Sequence, residues 1–195
     1  MGRIGLLGGT FDPVHFGHLL AAQAAIEGAR LDEVWFIPTA IPPHKPGPGT
    51  NGERRRSMLE AAIADNPLFR VEDIELQREG TSYTIDTVTA LRERHPEAEF
   101  FWIVGSDMVK DLPNWRRIAE LTRQVSFIGL ERPDQPSDDD LLPVYIRSRL
   151  IRAVMPPIGI SSTDIRRRLR EGRPVRYLLP DPVIDFIQRN GLYES

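Results

Sequence analysis

The chain has 195 residues, 41% of them hydrophobic and 27% charged, with a formal net charge of -3 and no cysteine. That length predicts one domain spanning residues 1–195 with a real core. The charge argues against a dedicated nucleic-acid binder, and the missing cysteines exclude disulfides, thiolate zinc sites and a cysteine nucleophile. No basic stretch leads into a long apolar run, so the reading is a soluble, cytoplasmic protein with no membrane segment.

In chain order, residues 3–8 (RIGLLG) are a short apolar run, the pattern of a strand covered on both faces. Residues 17–29, rich in Ala and Leu, predict a helix ended near Gly28. A second strand follows at 32–39, stopped by Pro38, and the prolines and glycines of 40–50 predict a loop. Residues 51–65 read as a helix with Arg54, Arg55 and Arg56 on its surface, or with one of the three turned towards phosphate, and FRVEDIEL at 69–76 as a strand. Ser/Thr caps open a helix over 80–95, and EFFWIVGSD at 99–107 is the clearest strand. A helix at 115–122, strands at 124–130 and 150–155, and helices at 162–171 and 181–190 complete the chain. Strands alternating with helices imply an α/β fold: an open, mostly parallel sheet with helices on both faces. Ligands of such sheets sit beyond the carboxyl ends of the strands.

The stretch GGTFDPVHFGH, 8–18, follows the first strand's carboxyl end. Gly8 and Gly9 suit a tight turn and close approach to a ligand. Residues 10–16 then cross to a helix start, where free N–H groups favour an anion. His15 and His18, three apart, can donate charge-assisted hydrogen bonds to phosphate oxygens there. A zinc site is the weaker alternative, since no cysteine or carboxylate cluster completes a shell. The pattern is neither a Walker loop nor G-x-G-x-x-G.

"GGTFDPVHFGHL" resembles the signature of the H-x-G-H nucleotidylyltransferase superfamily, and more narrowly its bacterial nicotinate mononucleotide adenylyltransferase branch. "ISSTDIRRRL" (160–169) is similar to that branch's second box, and IPPHK (41–45), SYTIDT (82–87), GSDM (105–108), Trp115 and the closing 179–193 fall in the right order. The resemblance implies a Rossmann-like fold of the nucleotidylyltransferase type. It also implies transfer of the adenylyl group of ATP to nicotinate mononucleotide, releasing pyrophosphate, with Mg²⁺ brought on the ATP phosphates and no metal held by the protein alone. His15 and His18 are expected on the ATP phosphates, with backbone donors around Gly8, Gly9, Thr10 and Phe11. Ser162, Thr163 and Arg166, opening a helix, are expected on the leaving pyrophosphate.

Other roles stay open at this level. Asp107, after Gly105, is either a ribose acceptor on the adenosine side or a helix N-cap. Lys45 is either near the mononucleotide's phosphate or an ordinary loop lysine. Trp115 offers a flat face to the nicotinate ring or anchors its helix on the core. Tyr83 and Thr84 line the mononucleotide or, for Thr84, cap a helix. Of the six arginines within 166–176, Arg167, Arg168 and Arg170 read as a solvated face. Glu131 could pair with Arg132, which removes that arginine from the site. Rival readings are another H-x-G-H transferase, for phosphopantetheine or a cytidylyl group, or a nucleotide sensor without turnover. An assembly of several copies is left open.

Overall fold

The computed structural model describes residues 2–41, 49–78, 80–131 and 139–194. Among them, six strands form one sheet: β1 (Arg3–Gly9), β2 (Glu33–Pro38), β3 (Phe69–Val71), β4 (Glu99–Gly105), β5 (Ser126–Glu131) and β6 (Leu150–Val154). All neighbours pair in parallel, in the order β3-β2-β1-β4-β5-β6. Strand order therefore reverses between β1 and β4, the switch point where an open sheet leaves a crevice at its carboxyl edge. The helices are α1 (Phe16–Ala29), α2 (Gly52–Ile63), α3 (Thr84–Arg94), α4 (Ser106–Val109), α5 (Ile118–Gln124), α6 (Val144–Arg147), α7 (Ser162–Arg170) and α8 (Asp181–Arg189).

Residue alternation along the strands feeds two separate cores. Leu7, Val34, Phe36, Phe101 and Ile103 face α1, α2, α7 and α8. Leu6, Trp35, Ile37, Phe100 and Trp102 face α3, α5 and the short α4 and α6. Burying each such side chain contributes about 1.5–3 kcal/mol, so central strands need apolar residues on both faces. No helix among the described residues is long and apolar enough to cross a membrane.

Several expected boundaries move. α1 runs past Gly28 and ends on Arg30, which takes the left-handed conformation (φ 51°). Gly28 serves packing instead: a Cβ there would stand 2.4 Å from that of Ala153 on β6. The strand expected over 69–76 stops at Val71, because the N–H groups of Leu76 and Gln77 both turn back to the carbonyl of Asp73. The predicted caps of α3 do not form. Tyr83 occupies the N-cap without a side-chain bond, and Ser82 is buried. Residues 115–117 lie outside α5, and Asp107 belongs to the first turn of α4 rather than to a strand. α4 and α6, four residues each, were too short for any sequence period to reveal.

Candidate active site

At the carboxyl end of β1, Gly8 and Gly9 remain in the strand, paired with Ile37 and Pro38, and neither adopts positive φ. The residue that turns the chain is Phe11, at φ 50°. The glycines are needed for space: a Cβ on Gly8 would lie 2.9 Å from the Trp102 ring and one on Gly9 2.8 Å from the Phe11 ring. Phe11 is buried and meets the His18 ring edge-on, centroids 4.9 Å apart.

His15 caps α1 and His18 lies one turn in. Their rings stack 3.7 Å apart, and the backbone N–H of His15 donates to Nδ1 of His18 at 3.2 Å. Burial pulls the His15 pKa down to about 4. Burial, and then the charge of His15, hold His18 well below its ordinary value. Both rings are thus neutral near pH 7 in the free protein. The charge-assisted donors expected from the sequence need a proton that an arriving anion would favour.

The second signature folds onto the first. Ser161 caps α7 by accepting the N–H of Asp164, which frees Ser162 to donate to the carbonyl of Pro13 at 2.9 Å. Arg166 donates from Nη1 to the carbonyl of Asp12 at 2.7 Å, and from Nη2 to Thr163 Oγ1 at 3.4 Å. Gly8, Gly9, Thr10, Phe11, His15, His18, Ser162, Thr163 and Arg166 therefore gather about one crossover loop. Arg167 pairs with Asp164 and Glu171 and is exposed, as expected for a solvated face, and Arg170 is exposed too. Arg168 pairs with Asp164 at 2.7 Å.

Gly105 and Asp107 lie at the neighbouring β4 edge, both exposed. Across the crevice, the N–H of Ser82 donates to the carbonyl of Ile41, which sets the start of α3 against the chain leaving β2. Arg116 sits 4.3 Å over the Tyr83 ring, so Tyr83, Thr84 and the segment holding Trp115 are neighbours. Trp115 is half-buried and packs edge-on to Phe127, 6.2 Å between centroids, which fits the core-anchor role and leaves part of its surface free. Lys45 and Arg132 lie outside the described residues. Glu131 pairs with Arg152 at 3.2 Å.

Sequence reasoning missed three residues that build this site. Arg55 is 1% exposed rather than on the helix surface. It donates to the carbonyls of Thr10 (2.8 Å), Thr39 (2.9 Å) and Thr50 (3.1 Å), tying the ends of β1 and β2 together. The signal was present, since Arg55 shares the helical stripe of Met58, Leu59 and Ala62. Asp12, also buried, accepts the N–H groups of Gly49 and Thr50 and the hydroxyl of Tyr193. No group of three or more His, Asp or Glu able to hold a metal occurs among the described residues.

Residues 6–168 match the family model described as cytidylyltransferase-like. Over its whole length the chain is 49% identical to the probable nicotinate-nucleotide adenylyltransferase of Halalkalibacterium halodurans, covering 93% of that protein. It is 44% identical to the nicotinate-nucleotide adenylyltransferase of Bacillus subtilis, covering all of it. In fold it matches the nicotinic acid mononucleotide adenylyltransferase of Plasmodium falciparum complexed with NaAD, with a TM-score of 0.80 at 21% identity over 99% of this chain and 98% of that one.

Proposed function

The chain belongs to the cytidylyltransferase-like family, and from that membership we propose that it transfers the adenylyl group of ATP to nicotinate mononucleotide in NAD biosynthesis. The single observation that carries the site assignment is the meeting of its two signatures. Ser162 and Arg166 donate to the carbonyls of Pro13 and Asp12, beside the stacked His15 and His18. Relatives named for this reaction match at 44–49% identity over the full chain.

In the reaction a phosphate oxygen of nicotinate mononucleotide attacks the α-phosphorus of ATP. A new P–O bond forms, the bond to the bridging oxygen breaks, and pyrophosphate leaves with that electron pair. No protein nucleophile is needed, so the side chains position anions and offset developing charge. The bond that His18 Nδ1 accepts leaves Nε2 to carry the proton and donate to the transferring phosphate. His15, also neutral in the free protein, supplies a second N–H donor, which becomes charge-assisted if the polyphosphate draws a proton onto the ring. Arg166, with the hydroxyl of Thr163 and the free backbone N–H groups at the start of α7 where Ser162 stands, takes the β and γ phosphates. We assign Asp107 and Gly105 to the adenosine side and Tyr83, Thr84 and Trp115 to the pyridine side; the role the resemblance implies for Lys45 concerns a residue outside those described.

We propose that Mg²⁺ arrives on the ATP phosphates as part of that substrate. Bound there, it offsets charge on the polyphosphate. The test is pyrophosphate release from ATP and Mg²⁺ on addition of nicotinate mononucleotide, with the dinucleotide identified by mass.

A further inference from the structure

After α8 the chain turns back on itself. Gly191 and Tyr193 both take left-handed conformations, at φ 55° and 64°. Glycine adopts that region freely, whereas an aromatic residue is strained there and persists only where its surroundings hold it. What holds Tyr193 is a hydrogen bond across 181 residues of sequence, from its hydroxyl to Oδ1 of Asp12.

Asp12 is the point where the two signatures of the site are joined. It is 2% exposed and stands in the crossover between β1 and α1. Its Oδ2 accepts the N–H groups of Gly49 (3.0 Å) and Thr50 (3.4 Å), and its backbone carbonyl accepts Nη1 of Arg166. A carboxylate buried this deeply needs its oxygens occupied. The Tyr193 ring packs on the core beside Met58, and burial followed by the bond to Asp12 raises its pKa, so the hydroxyl remains a donor at every working pH.

We propose that Tyr193 is a positioning residue for adenylyl transfer: by occupying Oδ1 of Asp12 it fixes the peptide whose carbonyl orients Arg166 toward the ATP polyphosphate. The proposal rests on the reading of the site given above. A role confined to fastening the tail would change stability alone, whereas positioning of Arg166 changes how the protein handles ATP and leaves the second substrate untouched.

The test uses the full chain carrying Tyr193→Phe, which removes the hydroxyl and keeps the ring. Melting temperature, folded fraction, kcat and both KM values are measured. Binding of an α,β-methylene ATP analogue is followed by calorimetry, which needs no turnover. The expected result is weaker analogue binding and a higher KM for ATP, each by about 5- to 10-fold, the worth of one hydrogen bond. The KM for the mononucleotide stays within about twofold, and in an Arg166→Ala background the same substitution costs less than about twofold. Unchanged analogue affinity, or an equal loss with and without Arg166, overturns the proposal whatever happens to the melting temperature. Should the unmodified protein bind the analogue yet leave nicotinate mononucleotide unreacted, the acceptor assignment fails, and calorimetry still decides the role of Tyr193.

Discussion

His15 and His18 lie ring on ring, 3.7 Å between centroids and 25° between planes, with the N–H of His15 donating to Nδ1 of its partner. Two imidazoles so placed cannot both be cations without repulsion, and burial already disfavours either charge. Burial, with the two rings so close, thus disfavours the cationic form of both in the free protein.

Stability should therefore fall as pH is lowered. The folded-state pKa of His15 is about 4 and its ordinary value 6.5, so between these limits the unfolded chain binds more protons. The penalty fades as pH rises through 6.5, is small at pH 7, and reaches about 2 kcal/mol by pH 5 for His15 alone. Glu75 acts in the opposite sense, since burial raises its pKa and the folded state takes up its proton first. Denaturant melts of the parent and His15→Asn proteins at pH 7 and pH 5 separate the two. The variant is expected to lose less stability over that interval, and equal losses would contradict the assignment.

Replacement of His18 by Ala should lower kcat by about 10²–10³ with a smaller effect on the KM for ATP. A preorganised donor to charge that grows in the transition state is worth that much. A near-normal kcat, measured by initial rates of pyrophosphate release, removes His18 from the mechanism.

Arg166→Ala should weaken ATP binding and turnover together, since the guanidinium meets the polyphosphate in ground and transition states alike. Arg167→Ala is the control, because Arg167 is exposed and engages Asp164 and Glu171 on its own helix. Steady-state kinetics that fail to distinguish the two variants would show that α7 is wrongly assigned.

Much of this was legible in the sequence because the determinants are local. The apolar run of β1, the alanine-rich α1 and the spacing of His15 and His18 lie within a few residues of one another, and the second box carries its own cap. What was not legible depends on distant backbone. Arg55 bonds carbonyls at positions 10, 39 and 50, and nothing in a run of three arginines tells which one turns inward except the stripe it shares with Met58 and Leu59. Asp12 reads as an ordinary turn residue before proline, while its partners Gly49, Thr50 and Tyr193 come from two other parts of the chain. The β3 strand was overdrawn because alternation continues past Val71, where Glu72 and Glu75 are buried and the chain is already turning.

Selectivity for nicotinate over nicotinamide mononucleotide should be large. Tyr83 caps α3 without a side-chain bond, and although Asp86 stands in the first turn it faces Arg117 at 3.8 Å, so the first N–H groups of that helix have no side-chain acceptor from the cap. A ligand carboxylate gains there, while an amide presents donors to donors. The expected ratio of kcat/KM is about 10- to 150-fold. It should collapse in Thr84→Val if Thr84 supplies one of the contacts. A ratio within about threefold, too small for a desolvated charged contact, would eliminate the carboxylate pocket.

The most direct test of the central claim supplies the purified protein with ATP and Mg²⁺ and offers nicotinate mononucleotide, phosphopantetheine and glycerol phosphate separately, following pyrophosphate and weighing the products. Pyrophosphate in equal amount to nicotinate adenine dinucleotide is expected with the first acceptor, and little with the others. Faster release with phosphopantetheine or glycerol phosphate, or none with any acceptor from a protein that binds ATP, would contradict it.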